Sequence, residues 1–295
     1  MEPVLLHFDT VPSVPMWRLA LARKPGLEAG QTFGPIEARV GGVQLGDSPQ
    51  YRALCALPEQ GPMPVLWPFV AAAPLQKAVL MHPAFPVPLM GLVHVRQTVQ
   101  ARRPLAPDEP LELRVRAGAW RPARRGVHVD LDTAFVDADG GVVWSGCTTA
   151  WSPHGPGHGQ KNPVREPPPM DVFDEQTIAV PEPMGRRYGT VAGDRNPIHV
   201  HALFARLFGF RRAIVHGMWT FARCLAALDA RVPHHHASIR VEFLRPVELP
   251  STGQLTLGAV KSGAGDAFVW RAGERICLFG EVAEEVADEV AEDTP

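Results

Sequence analysis

An aspartate and a histidine close together in the second half of the chain, Asp194 and His199, are the residues best suited to acid-base chemistry. They lie in the segment GDRNPIH, which starts at Gly193. Glycine permits a left-handed turn and proline disfavours a helix at the residue before it, so residues 193–198 are predicted to form a sharp loop. In an unbroken helix the two side chains would be splayed by about 140°. The loop therefore lets both side chains reach one target.

A carboxylate and an imidazole that share a target can activate a water molecule near neutral pH. Aspartate titrates at about pH 4 and histidine at about 6.5, so an ionised Asp194 and a mainly neutral His199 could hold one water from two sides. Addition of water to a trans-2-enoyl thioester needs this base, a proton for the α carbon, and stabilisation of the charge on the thioester oxygen. We expect the backbone amide of Gly217 to face that oxygen, because glycine has no side chain to block the approach.

Each of these features also has an ordinary structural explanation. Gly-Asp with Asn-Pro nearby commonly forms a turn, and an aspartate commonly caps a helix. The combination is more specific than its parts: Asp, Asn-Pro and His follow one another closely, and His-Gly then opens a long apolar helix. We therefore interpret the segment as a catalytic site.

The second half of the chain predicts one long buried helix followed by an antiparallel sheet. Apolar residues recur at helical spacing over residues 216–229, and residues 237–246 alternate with the two-residue period of a strand. Shorter strands separated by glycine-containing turns are predicted at residues 255–260, 267–271 and 276–282.

The first half repeats this order of elements. A helix is predicted at residues 69–81, and strands at residues 92–100, 111–117, 127–136 and 142–150. A segment rich in proline and glycine separates the two halves. The predicted organisation is an N-terminal unit at residues 1–150, a linker at 151–182, a C-terminal catalytic unit at 183–283 and a solvated acidic tail at 284–295.

The composition limits the class of protein. A chain of 295 residues, 45% hydrophobic and 20% charged, can form two ordinary globular units. The net charge of −2 argues against nucleic-acid binding. No stretch approaches the roughly 20 apolar residues that cross a membrane, and the N-terminus has no signal-peptide pattern. Four isolated cysteines predict reduced thiols in a cytoplasmic protein.

Further candidate binding residues surround the central segment. A run of three histidines could bind a metal, but adjacent side chains on a loop rarely point at one ion, so no metal site is predicted at His234, His235 and His236. Arginines that could meet the phosphates of coenzyme A are Arg195, Arg211 and Arg212. Aromatic residues that could line an acyl pocket, although such a cluster is more often plain core, are Phe204, Phe208, Phe210 and Trp219.

The central segment resembles the signature of the MaoC-like family of R-specific enoyl-thioester hydratases and 3-hydroxyacyl-thioester dehydratases. That signature is an aromatic residue, small residues, Gly-Asp-x-Asn-Pro-aliphatic-His, and a small residue six positions on. The matching residues are Tyr188, Gly193, Asp194, Asn196, Pro197, Ile198, His199 and Ala205. One position departs, because Ala192 stands where the family usually has Ser, Thr, Gly or Cys. We expect altered hydrogen bonding there at most.

The resemblance implies an α+β fold, a tandem (double) hotdog in which each unit is a long helix wrapped by an antiparallel β-sheet. It implies that Asp194 and His199 are catalytic and that the site is shaped by Tyr188, Gly193, Asn196, Pro197 and His216. No metal or redox cofactor is expected, because coenzyme A or the phosphopantetheine arm of an acyl carrier protein arrives with the substrate. We also expect a homodimer. The first unit lacks the motif and is expected to be a non-catalytic half that shapes an acyl tunnel.

Two other functions are compatible with the same fold. A hotdog thioesterase also binds acyl thioesters, but it must deliver water to the carbonyl carbon, and Asn-Pro-x-His after Gly-Asp favours the hydratase. A non-catalytic acyl-binding partner subunit would lack a working pair of acid-base residues. Both residues are present here, so this alternative ranks third.

Overall fold

The computed structural model describes residues 2–14, 24–28, 31–89, 91–123, 125–155, 165–228, 231, 236–261, 263 and 265–284. The strands are β1 (Val4–Phe8), β2 (Ile36–Val43), β3 (Val93–Ala101), β4 (Leu111–Pro122), β5 (Val127–Val136), β6 (Val142–Ser152), β7 (Met170–Val180), β8 (Ala237–Phe243), β9 (Ser251–Val260), β10 (Asp266–Ala272) and β11 (Arg275–Glu284). The helices are α1 (Pro49–Cys55), α2 (Trp67–Met81), α3 (Met184–Val191), α4 (Pro197–Val200), α5 (Ala202–Leu207) and α6 (Gly217–Ala227).

All of these strands form one sheet, in the order β1-β2-β4-β5-β6-β3-β8-β11-β10-β9-β7. If β1 is left aside, the five strands of the first half (β2-β4-β5-β6-β3) and the five strands of the second half (β7-β9-β10-β11-β8) follow the same order from the edge of the sheet to its centre. In each half the first strand lies outermost, the third, fourth and fifth follow, and the second lies at the centre. Along the chain, each half also has one long helix, α2 or α6, between its first and second strands. The predicted repeat and the predicted double hotdog fold are therefore confirmed.

The two units join at the centre of the sheet, where β3 pairs with β8 in antiparallel fashion. Their register runs from Arg96 opposite Glu242 to Ala101 opposite Ala237. The Arg96 guanidinium donates a hydrogen bond to Glu242 Oε1 at 2.7 Å. Because equivalent strands of the two units pair with each other, one chain builds what resembles a two-fold symmetric dimer.

Helix α6 is buried because it is apolar on most of its sides. Among its residues Met218, Trp219, Phe221, Ala222, Cys224 and Leu225 are all buried. The helix also contacts the other unit through hydrogen bonds. Trp219 Nε1 donates to the carbonyl oxygen of Leu54 at 2.9 Å, and Arg223 donates to that of Cys55 at 2.9 Å. The start of α6, where the candidate site lies, is thereby fixed against the N-terminal unit.

One part of the domain prediction is wrong. Residues 170–180, predicted to belong to the linker, form β7, which pairs with β9 from Met170 opposite Val260 to Val180 opposite Ser251. This strand lies at the edge of the sheet and most of its residues are exposed or half-buried, so its hydrophobic alternation is weak. The second unit thus begins with its own first strand, and the other domain boundaries stay predictions.

The remaining elements follow the predicted order with small differences at their ends. The helix predicted at 216–229 spans 217–227, and the one predicted at 69–81 begins at Trp67. Residues 156–164, the histidines at 234 and 235, and the tail beyond 284 lie outside the described residues. No helix in the described part of the chain is long and apolar enough to span a membrane.

Candidate active site

The loop between α3 and α4 presents Asp194. Gly193 adopts φ +62°, in the left-handed region that glycine tolerates best, and turns the chain after α3. Asp194 Oδ1 accepts a hydrogen bond from the Asn196 amide at 3.3 Å. The Asn196 side chain in turn caps α4 by accepting from the Ile198 amide, and Pro197 is the first residue of that helix. The predicted sharp loop is confirmed, and it ends where the short helix α4 begins.

His199 projects from α4 towards the same point, and a backbone contact fixes its tautomer. Its Nδ1 lies 2.8 Å from the carbonyl oxygen of Ile214, an acceptor, so Nδ1 must carry the proton. Nε2 is therefore left unprotonated and able to accept a hydrogen bond. A neutral imidazole in this state can hold or deprotonate a water molecule.

His216 packs behind the pair formed by Asp194 and His199. Its ring is stacked on that of His199, with centroids 3.7 Å apart, and its Nε2 donates to the carbonyl oxygen of Asp194 at 2.9 Å. The ring of Tyr188, buried on α3, lies 5.1 Å from His216. The predicted shaping residues Tyr188 and His216 thus lie around the predicted catalytic pair.

The surroundings keep Asp194 ionised and both histidines neutral. Burial alone would raise the pKa of Asp194, but the opposing influence of His216, His199 and Lys77 is larger, and the pKa lies below its usual value. Burial lowers the pKa of His199, and it lowers that of His216 to about 3. The Asp194 side chain is still 42% exposed, so solvent water can reach it.

The geometry of the three residues does not favour a metal ion. One ligand atom from each of Asp194, His199 and His216 lies within 4.8 Å of the others. However, the two imidazole planes are nearly parallel and stacked, so their in-plane lone pairs cannot converge on one ion at about 2.1 Å. His216 Nε2 is also committed to the Asp194 carbonyl. The expectation of a metal-free site stays a prediction, supported by this geometry.

Gly217 begins α6, so its amide has no acceptor within the helix. Its predicted role as the donor to the thioester oxygen stays a prediction. The structure also shows a second reason for a glycine at this position. A Cβ at this position would point at the ring of Phe243 and lie 2.9 Å from its Cε1, so glycine is needed there for packing against β8.

The predicted acyl-pocket residues lie in different environments. Trp219 is only 1% exposed and packs in the core against Trp270, so the prediction that it lines an open pocket is wrong. Phe204 on α5 is 48% exposed and Phe208 after it is 40% exposed, whereas Phe210 is half-buried. Their role stays a prediction.

The predicted phosphate-binding arginines are all at the surface. Arg195 lies in the loop between Asp194 and Asn196, and Arg211 and Arg212 follow α5. None of the three is buried, so each could meet a charged group of a ligand, and this role too stays a prediction.

Sequence reasoning did not identify Lys77 of α2, whose ammonium group donates a hydrogen bond to the carbonyl oxygen of Gly193. It also lines a groove of about 480 Å³ that leads to the catalytic loop. Other residues lining the groove include Val11, Pro12, Trp67, Val70, Pro74, Val191, Ala192 and Gly193. A lysine 116 positions from its partner, in a unit without the motif, gives no signal that a sequence pattern could detect.

The fold and the pairing of Asp194 with His199 define the class: a double-hotdog protein with an acid-base site in its second unit. Residues 164–270 match the family described as MaoC like domain. The chain is 35% identical over 214 residues to 3-hydroxyacyl-thioester dehydratase X of Mycobacterium tuberculosis, a match that covers 70% of this chain and 73% of that protein. The enoyl-CoA hydratase ChsH3 of the same organism is 29% identical over 155 residues, which is 50% of this chain and 53% of that protein.

Solved structures agree with this assignment. The crystal structure of HtdX of Mycobacterium tuberculosis superposes with a TM-score of 0.68 at 30% identity, covering 83% of this chain and 99% of that one. A MaoC-like dehydratase from Phytophthora capsici shares the fold, with a TM-score of 0.66 at 19% identity over 87% of this chain and 97% of that one. The chain belongs to the MaoC-like family.

Proposed function

We propose that this protein is a hydro-lyase that interconverts trans-2-enoyl and R-3-hydroxyacyl thioesters. The observation that carries the proposal is the closeness of Asp194 and His199, whose side-chain ligand atoms lie within 4.8 Å of each other. Asp194 is ionised and partly exposed, and Nε2 of His199 is unprotonated. The relatives named as a 3-hydroxyacyl-thioester dehydratase and an enoyl-CoA hydratase support the same reaction class.

In the hydration direction, Asp194 and His199 hold one water molecule between them. As the oxygen of that water bonds to the β carbon, the pair takes up one proton. The electron pair of the double bond moves towards the α carbon and the thioester oxygen, and the pair returns the proton to the α carbon. The amide of Gly217 donates to the thioester oxygen while negative charge is present there. One water is added, and no redox step or bound metal is required.

The acyl thioester is carried by coenzyme A or by the phosphopantetheine arm of an acyl carrier protein. The groove between α2 and the catalytic loop is lined by apolar residues of the N-terminal unit, including Trp67, Val70 and Pro74, which suits an acyl chain or the pantetheine arm. The N-terminal unit thus shapes the substrate channel without a catalytic motif of its own. We also propose a homodimer located in the cytoplasm.

The test is a panel of trans-2-enoyl-CoA substrates of increasing chain length. Loss of the conjugated enoyl-thioester absorbance, with the chirality of the product, measures the reaction directly. We expect R-3-hydroxyacyl-CoA from the wild-type protein. Release of free thiol with no hydroxyacyl product would indicate a thioesterase instead. Saturable acyl-CoA binding with neither product would indicate a non-catalytic acyl-binding subunit.

A further inference from the structure

Lys77 brings a charged group from the N-terminal unit to the catalytic loop. It lies in α2, and its ammonium group donates to the carbonyl oxygen of Gly193, the residue before Asp194. Among the atoms around the position that a Cβ of Gly193 would take, the nearest is Lys77 Nζ, at 3.9 Å. The lysine therefore lies directly against the turn that presents the carboxylate.

Arg195 follows Asp194 in the loop, but its side chain is exposed to solvent and does not influence the pKa of Asp194. The titratable groups packed around Asp194, apart from Lys77, are uncharged at neutral pH. These groups are Tyr188 on α3, His199 on α4 and His216 at the start of α6. Burial raises the pKa of Tyr188 and lowers the pKa values of both histidines, so all three are neutral near pH 7. Among the groups that act on the Asp194 carboxylate, the Lys77 ammonium is therefore the one that carries a positive charge.

The contact is also favourable for Lys77 itself. The side chain is half-buried, and a desolvated ammonium group is costly unless acceptors surround it. Burial lowers the pKa of Lys77, and the negative charge of Asp194 opposes that change. The Gly193 carbonyl and the Asp194 carboxylate together compensate for the lost hydration.

We propose that Lys77 is a positioning residue of the active site, which holds the Gly193 turn so that the Asp194 carboxylate is aimed at the bound water, and which adds a positive charge beside that carboxylate. The unit without the motif thereby contributes to catalysis in the other unit. This inference rests on the proposed hydratase function.

The experiment compares Lys77→Met, Lys77→Gln and Lys77→Arg with the wild type in enoyl-CoA hydration between pH 3 and pH 8. The acidic limb is the fall in kcat/KM at low pH that accompanies protonation of Asp194. In Lys77→Met we expect this limb to move up by about one pH unit, so that kcat/KM at pH values below the limb is about tenfold lower than in the wild type. Lys77→Gln keeps a donor for the Gly193 carbonyl but not the positive charge, so its acidic limb should move up as well. Lys77→Arg keeps both the donor and the charge, so its acidic limb should lie where that of the wild type does.

Lys261→Met is the matched control. Lys261 pairs with Asp171 at 3.0 Å on the edge of the sheet, and its side chain is 54% exposed, so its removal should leave the pH profile unchanged. A KM that stays within about twofold of wild type separates positioning from substrate binding.

An unchanged acidic limb in folded Lys77→Met would overturn the inference, and so would a rise in KM alone, which would make Lys77 a substrate contact. If Lys77→Met does not fold, Lys77→Gln decides by the same criterion. A wild-type protein that hydrates no enoyl thioester would overturn the proposed function itself. An active wild type with an unshifted variant overturns only the role of Lys77.

Discussion

The imidazole rings of His199 and His216 lie stacked, with centroids 3.7 Å apart and 26° between their planes. His216 also donates to the carbonyl oxygen of Asp194. One buried histidine thus supports both members of the catalytic pair from behind, by ring contact on one side and by a backbone hydrogen bond on the other. Burial lowers the pKa of His216 to about 3, so its ring is neutral near pH 7.

His216→Phe should therefore show how much the hydrogen bond to the Asp194 carbonyl contributes apart from the ring contact with His199. Phenylalanine keeps an aromatic surface against His199 but leaves the Asp194 carbonyl without its donor, which typically costs about 1–3 kcal/mol of the free energy of unfolding. We expect a lower urea midpoint and slower turnover. The exposed His7→Phe on β1 serves as control and should change neither. Turnover at the wild-type rate in His216→Phe would mean that the hydrogen bond to the loop is dispensable.

Asp194→Asn and His199→Ala should each yield a folded protein whose turnover falls by at least about a hundredfold, the usual scale for acid-base groups. Steady-state hydration rates and circular dichroism would be measured together. Asp139→Asn, an exposed carboxylate in a turn of the N-terminal unit, should behave as wild type. If either site variant kept wild-type rates, that residue would play no part in the chemistry.

Substitution of Gly217 should affect both packing and the oxyanion site. In Gly217→Ala the new Cβ meets the Phe243 ring, and overpacking typically costs about 1–3 kcal/mol. Gly217→Val should displace the start of α6 further and slow turnover by a few hundredfold, or about 3 kcal/mol. The double variant Gly217→Ala with Phe243→Leu relieves the contact and should recover much of the lost unfolding temperature. Wild-type turnover in Gly217→Val would place the oxyanion site elsewhere.

Stability should fall as the solution is acidified below pH 6.5. Burial lowers the pKa of His94, which lies on β3, to about 4 and that of His216 to about 3. Between these values and about 6.5 the unfolded chain therefore binds protons that the folded chain does not. In a pH range where the unfolded state binds more protons than the folded state, lowering the pH decreases the free energy of unfolding. For His216 alone the loss at pH 5 is about 2 kcal/mol.

Urea unfolding at pH 7.5 and pH 5 would measure this loss. His216→Phe should show a smaller difference between the two pH values than the wild type, because one buried histidine is gone. A free energy of unfolding that does not change between pH 7.5 and pH 5 would contradict the assignment of these histidines as neutral and buried.

Much of the fold could be predicted from local patterns. The apolar helix α6 and the strands that follow it have clear periodicity, and GDRNPIH combines a turn with two acid-base residues five positions apart. What escaped prediction depends on contacts between distant parts of the chain. β7 has weak alternation because it is an edge strand, and the orientation of Trp219 towards the other unit cannot be read from helical spacing.

The same limit explains the site residues that were missed or misjudged. Phe243 explains the glycine at 217, yet the two are brought together only when β8 packs beside α6. Lys77 reaches the loop because the two units share one sheet. A pattern within the motif identifies the groups that react, but the residues that support them come from other elements.

The acidic edge strand β7 has a consequence for self-association. It ends the sheet, and an unpaired strand edge is a template on which further copies can add. Here the edge carries Asp174 and Glu175 in addition to Asp171, which is paired with Lys261. The exposed ring of Phe173 is covered by the guanidinium group of Arg231, 4.2 Å from its centroid. Like charges would meet wherever two such edges approached each other. A sheet this long is thereby protected at this end from edge-to-edge polymerisation and the aggregation that follows from it.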